Sequence, residues 1–171
     1  MNCFIRKIQS LAMWQEGKDA KQILSPLHAM RYALDINKGK GKPSFWRATN
    51  EEELEKIVLG MLLMMNINQI DSIRIISFGE ECFSGNQGKL SNKEDPSFPI
   101  ISVRKLHYEL NPANETVILP IAETFLSCKG ECKEFHKNKT KNNVLNMGEI
   151  LKKYLNDVSD EYKEKALKLL K

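Results

Sequence analysis

The sequence predicts an α/β or α+β fold: a mixed sheet of about four to five strands flanked by helices, with a helical C-terminal part. Three observations predict it. An apolar segment with helical spacing, Leu54 to Met65, lies between two short strand-like runs, Ser44–Ala48 and Ser72–Phe78. Two further strand-like runs, 100–110 and 115–121, flank the turn-forming residues Asn111-Pro112-Ala113-Asn114 and predict a hairpin. Beyond them, apolar residues return at helical spacing towards the end of the chain.

Taken in order, Phe4, Ile8, Leu11 and Ala12 recur at helical spacing and predict a helix over 3–15. The alternation Phe4-Arg6-Ile8 leaves a strand open for the first few residues. Ser25 and Pro26 predict a second helix start, serine as cap and proline at the first helical position. Lys38-Gly39-Lys40-Gly41-Lys42-Pro43 reads as a loop. After the 44–48 strand, Thr49 and Glu52 have capping-box spacing, and Asn50 and Glu53 offer a second register. The helix that follows runs over 51–65. Apolar residues on both sides of it (Leu54, Ile57, Val58, Met61, Leu62 and Met65; Leu59, Leu63 and Met64) predict burial on most of its circumference. Strand, helix and strand in that order predict a right-handed βαβ crossover. Residues 79–97 read as a loop. Ile121, Phe125, Cys128, Cys132 and Phe135 predict a helix, and Val144, Leu151, Leu155 and Val158 another. Ser159, followed by Asp160 and Glu161, predicts the cap of a last one.

Composition narrows the function classes. Lysine plus arginine number 26 against 22 acidic residues, a net charge of +4 that falls well short of a dedicated nucleic-acid protein. With 42% hydrophobic and 28% charged residues, the chain is neither disordered nor a coiled coil. Its 171 residues are expected to form a single domain: an N-terminal helical part over 1–36, a sheet-forming part over 44–121 with the 50–65 helix, and C-terminal helices over 122–171. The most apolar stretch, Ile57 to Met65, is about half the roughly 20 residues a membrane span needs, and the first residues lack a signal core. A cytoplasmic protein with Cys3, Cys82, Cys128 and Cys132 as reduced thiols is therefore expected.

Three constellations could carry chemistry. Lys38, Lys40, Lys42 and Arg47 form a basic stretch without an acidic residue, and Phe45 and Trp46 stand beside them. Lysines can neutralise phosphates and an exposed indole can stack a base; the bland alternative is a solvated loop with the two rings buried on either side of a strand. A second basic patch, Lys129, Lys133, Lys137, Lys139 and Lys141, is diluted by Glu131 and Glu134. Cys82, after a strand, could act as a nucleophile with His107 as base and Glu80 or Glu81 as orienter, although adjacent glutamates oppose thiol activation. Cys128, Cys132 and His136 could offer metal ligands along one helix, but i and i+8 lie about 12 Å apart there, and core packing of the cysteines is the stronger expectation. Glu80, Glu81, Glu94 and Asp95 with Asp71 match no cation-binding motif. The sequence lacks G-x-G-x-x-G, a P-loop, H-E-x-x-H, G-x-S-x-G and an EF-hand loop.

The expectation is therefore a binding protein without catalysis or cofactor. It would serve a macromolecular partner, a protein before a nucleic acid and not a membrane, as an accessory, regulatory or inhibitor subunit. Nucleic-acid binding or processing through Lys38–Arg47 is the alternative, and a thiol enzyme at Cys82 the third reading.

Overall fold

The computed structural model describes residues 2–8, 13–14, 35, 43–65, 72–85, 88–127, 131–136 and 147–170. Among these, six strands form one open sheet: β1 (Cys3–Lys7), β2 (Ser44–Ala48), β3 (Ser72–Gly79), β4 (Lys89–Asn92), β5 (His107–Asn111) and β6 (Glu131–His136). Their spatial order is β4-β5-β2-β1-β3-β6, and every neighbouring pair is antiparallel. Four helices accompany them: α1 (Glu51–Leu63), α2 (Glu115–Ser127), α3 (Met147–Tyr154) and α4 (Asp160–Leu169). The class is α+β, and the expected mixed sheet of four to five strands is corrected to an antiparallel one of six.

Side chains alternate across the sheet with the two-residue period of a strand. Cys3, Ile5, Trp46, Ala48, Ile73, Ile75 and Phe135 feed one apolar cluster. Phe4, Phe45, Ile76, Phe78 and Leu110 feed the other. Helix α1 lies in the first cluster, with Leu54 and Ile57–Leu63 buried, as its all-round apolar pattern predicts. Beyond α1, the same cluster takes in Met147, Ile150, Leu151, Tyr154, Val158 and Ala166 from the C-terminal segment. The second cluster is completed by α2, through Val117, Ile118, Ile121, Ala122, Phe125 and Leu126, and by Trp14.

Helix α1 uses the second capping register. Asn50 Oδ1 accepts the Glu53 N–H at 2.8 Å, while Glu53 Oε2 accepts the Thr49 N–H and hydroxyl at 2.7 and 2.8 Å. The helix ends at Leu63, and Met64 is exposed. The expected crossover is present in altered form. Strands β2 and β3 both run antiparallel to β1 and hence parallel to each other, but β1 lies between them. The βαβ unit is therefore split by the N-terminal strand.

Six further expectations are corrected. Residues 3–7 form a strand, the alternative left open for them, because the four-residue step from Phe4 to Ile8 also satisfies a period of two. The 79–97 segment holds a 3₁₀ turn at Glu80–Phe83 and strand β4. Residues Ile101–Leu106 are 3₁₀, leaving β5 from His107. The hairpin partner of β5 is β4, not 115–121, which belongs to α2. Asn114 caps that helix through the Val117 N–H, and its buried face, 117/118, 121/122 and 125/126, is visible only over its whole length. The helix expected through Cys132 and Phe135 is strand β6, whose Phe135 pairs with Ile73. Helix α3 ends at Tyr154, and Leu155–Asp157 continue as a 3₁₀ turn. The helix start at Ser25-Pro26 lies outside the described residues.

Two places generate measurable consequences. The Phe98 ring covers Gly60 of α1 and packs on Trp46 with centroids 3.7 Å apart, so a Cβ at Gly60 would run into a ring backed by another ring. Helix propensity favours alanine over glycine by about 1 kcal/mol. Overpacking costs about 1–3 kcal/mol. Gly60→Ala is expected to lower the urea-unfolding free energy, and a gain would show that Phe98 yields. At the helix starts, Asn50 makes its cap bond, whereas Ser159 stands at the N-cap of α4 with its Oγ buried and unbonded. Asn50→Ala should cost about 1 kcal/mol. Ser159→Ala should be neutral or stabilising, since it removes an unmet hydroxyl. Thermal melts of the two variants, side by side, check the contrast.

Candidate functional site

The basic stretch is divided by the strand it leads into. Lys38, Lys40 and Lys42 lie outside the described residues. Pro43 is fixed where its carbonyl accepts the Leu110 N–H at 3.0 Å. Ser44 offers its carbonyl to Arg6 NH1 at 2.6 Å. Phe45 and Trp46 then point to opposite faces. Trp46 is 4% exposed, between Phe98 and the His107 ring at 4.9 Å; Phe45 packs on Phe78 and Phe83 at 5.5 and 5.2 Å, with the Arg6 guanidinium over it. The bland alternative for the two rings, burial on either side of a strand, is therefore the one observed, and the Trp46 indole is a core side chain. Arg47 sits about 10 Å along the strand from Ser44, at 3.3 Å per residue. There it donates to Asn2 Oδ1 at 3.1 Å and Glu80 Oε1 at 3.0 Å.

Charges of both signs stand at each end of the sheet: Glu109 pairs with Ser44 at one, and Lys93, Arg104 and Lys105 lie by Glu94 and Asp95 at the other. Ser44 at the start of β2, Ser72 at the start of β3, Asn111 at the end of β5 and His136 at the end of β6 share one end. Lys7 ends β1 and Lys89 begins β4 there. Two lysine-bearing stretches of the sequence attach to this end: Lys38–Lys42 leads into β2 through Pro43, and Lys137, Lys139 and Lys141, also outside the described residues, follow β6. Strands β2 and β6 are three strand spacings apart, about 14 Å. At the opposite end, Glu51–Glu53 follow β2, Glu80 and Glu81 follow β3, Glu94 and Asp95 follow β4, and Glu131 opens β6. Beside Ser44, burial lowers the Arg6 guanidinium to about 10, while the Asp35 carboxylate opposes the shift. Asp35 itself accepts the Trp14 indole N–H at 2.9 Å.

The thiol constellation is taken apart by the sheet. Cys82 is fully buried in the Glu80–Phe83 turn, within the cluster of Phe4, Phe45 and Phe78. His107 is 6% exposed on the other face, against Trp46. Its Nδ1–H donates to the Lys93 carbonyl at 2.7 Å, which fixes the tautomer. Glu81 is exposed, and Glu80 is bound to Arg47 and Asn2. Nucleophile and base need hydrogen-bond reach, and here a β-sheet lies between them. The other buried thiol, Cys3, is pushed up by burial, partly offset by a hydrogen bond from Ser77.

The metal constellation loses its helix. Cys128 lies outside the described residues. Cys132 pairs with Ile76 and His136 with Ser72 along β6, so their backbones are about 13 Å apart. The acidic set is likewise dispersed. Asp71 is outside the described residues, and β3 and β4 are four strand spacings apart, about 19 Å, which separates Glu80 and Glu81 from Glu94 and Asp95. Asp95 is engaged by the Ser97 N–H and hydroxyl at 3.0 and 2.6 Å. Among the described residues, no group of three His, Cys, Asp or Glu side chains could hold a metal ion. None of their helices is long and apolar enough to cross a membrane.

Sequence reasoning missed a polar seam between α1 and the C-terminal helices. Glu55 is 8% exposed, and its Oε2 accepts Tyr154 OH at 2.7 Å and Lys153 Nζ at 2.9 Å. Next to it Lys56 bridges Glu52 at 2.9 Å and Asp157 at 3.3 Å, and Asp157 accepts the Ser102 N–H and hydroxyl. Burial, then the bond to Glu55, pushes the Tyr154 phenol up. Tyr154 and then Glu55 hold the Lys153 ammonium well above the usual lysine value. The signal available in the sequence was a carboxylate inside a helix apolar almost all round. The chemistry is that of a fastening: each hydrogen of Tyr154 and Lys153 aimed at Glu55 ties α3 to α1.

Comparison of the chain with protein-family models, with curated proteins and with solved structures finds no match.

Two measurements follow. Cys3 and Cys82 should both react slowly with an alkylating reagent in the native protein and rapidly in denaturant; fast native labelling of Cys82 would contradict its burial. Tyr154→Phe should destabilise by about 1 kcal/mol, the net value of one buried hydrogen bond. Glu55→Ala should cost more, since it leaves the buried Tyr154 hydroxyl without its acceptor and also removes the Lys153 ion pair. Denaturant titrations of the two variants test the order.

Proposed function

We propose that the protein acts by binding a macromolecular partner as an accessory, regulatory or inhibitor subunit, without catalysis of its own. The partner in this reading is a protein that offers an acidic surface to the lysine-bearing end of the sheet. One observation supports it: the start of β2 and the end of β6, which lysine-bearing stretches flank in the sequence, share one end of the sheet with Lys7 and Lys89. The separation of Cys82 from His107 by the sheet also favours it over a thiol enzyme. The cytoplasm suits this reading, because buried Cys3 and Cys82 are compatible with a reducing compartment.

The same charge favours a second reading, in which the partner is the phosphate backbone of a nucleic acid. With Phe45 and Trp46 in the core, such binding would be electrostatic and indifferent to sequence. Mobility shifts with single- and double-stranded DNA and RNA at two salt concentrations separate the readings. The protein-partner reading expects no shift at low salt. It also expects a partner recovered from the native host to associate about tenfold more slowly with a Lys38/Lys40/Lys42 triple alanine variant. A shift whose salt slope falls by about 2–3 in that variant would establish the nucleic-acid reading instead. An unchanged association rate would remove the lysine-bearing end from the interface.

A further inference from the structure

We draw no further inference here: the strongest candidate, the carboxylate cluster Glu51, Glu52, Glu53, Glu80 and Glu81 where β2 and β3 end, is a group of acidic side chains beside which nothing among the described residues points to a ligand.

Discussion

The burial of α1 is the constraint on which the rest of this structure depends. A helix apolar on one stripe can rest on a sheet and face water with its other side. Helix α1 has no such side, because Leu54 and every residue from Ile57 to Leu63 are enclosed. It needs the sheet beneath it and a second layer outside it. Helices α3 and α4 supply that layer, with Ile150, Leu151, Tyr154 and Ala166 in the same cluster as Ile57 and Leu62. Each fully buried Leu or Ile side chain among them contributes roughly 1.5–3 kcal/mol. Enclosure also takes in Glu55, whose carboxylate would be costly without partners, and Tyr154 and Lys153 provide them. The polar seam is thus a consequence of covering the helix completely.

The sheet makes the second set of decisions, since it is a wall as well as a support. Adjacent residues of one strand are delivered to different cores: Phe45 to the side of α2, Trp46 to the side of α1. Residues that a linear reading places together are separated by that alternation, as with the aromatic neighbours of the basic stretch. The wall also lies between Cys82 and His107. Strand length acts in the other direction, carrying Arg47 about 10 Å from Ser44 and into a bond with Glu80. Strand order also decides which ends coincide: the start of β2 and the end of β6 fall at one end of the sheet, and the carboxylates after β2, β3 and β4 at the other.

Legibility in the sequence followed a simple physical rule. Segments whose spacing fits only one period were read correctly, as with α1 and β3. Segments built on four-residue steps were not, because a step of four satisfies the 3.6 period of a helix and the 2.0 period of a strand equally. Phe4 to Ile8 and Cys128 to Cys132 are such steps, and β1 and β6 are where helices were expected. The 115–121 run failed for a related reason: a short continuous apolar run has no visible period until Phe125 and Leu126 extend it. Among candidate site residues, identity and charge were legible, but exposure was not. Trp46 looks the same in a sequence whether it meets a base or Phe98.

By itself, the sequence determined that helices and strands share the fold, the buried helix α1 with two candidate capping registers, strands β2 and β3 around it, and the absence of the familiar catalytic motifs. These are properties of local spacing and residue type, which the chain carries wherever its distant parts go. Tertiary structure alone decided that β1 enters between β2 and β3, that β4 rather than 115–121 pairs with β5, and that Glu55 meets Tyr154 and Lys153 some hundred residues on. Those outcomes depend on which apolar faces cover one another across the whole chain, because hydrophobic burial is non-directional and backbone hydrogen bonding leaves strand partners interchangeable. Only the complete set of surfaces selects one pairing, and that pairing places the charges.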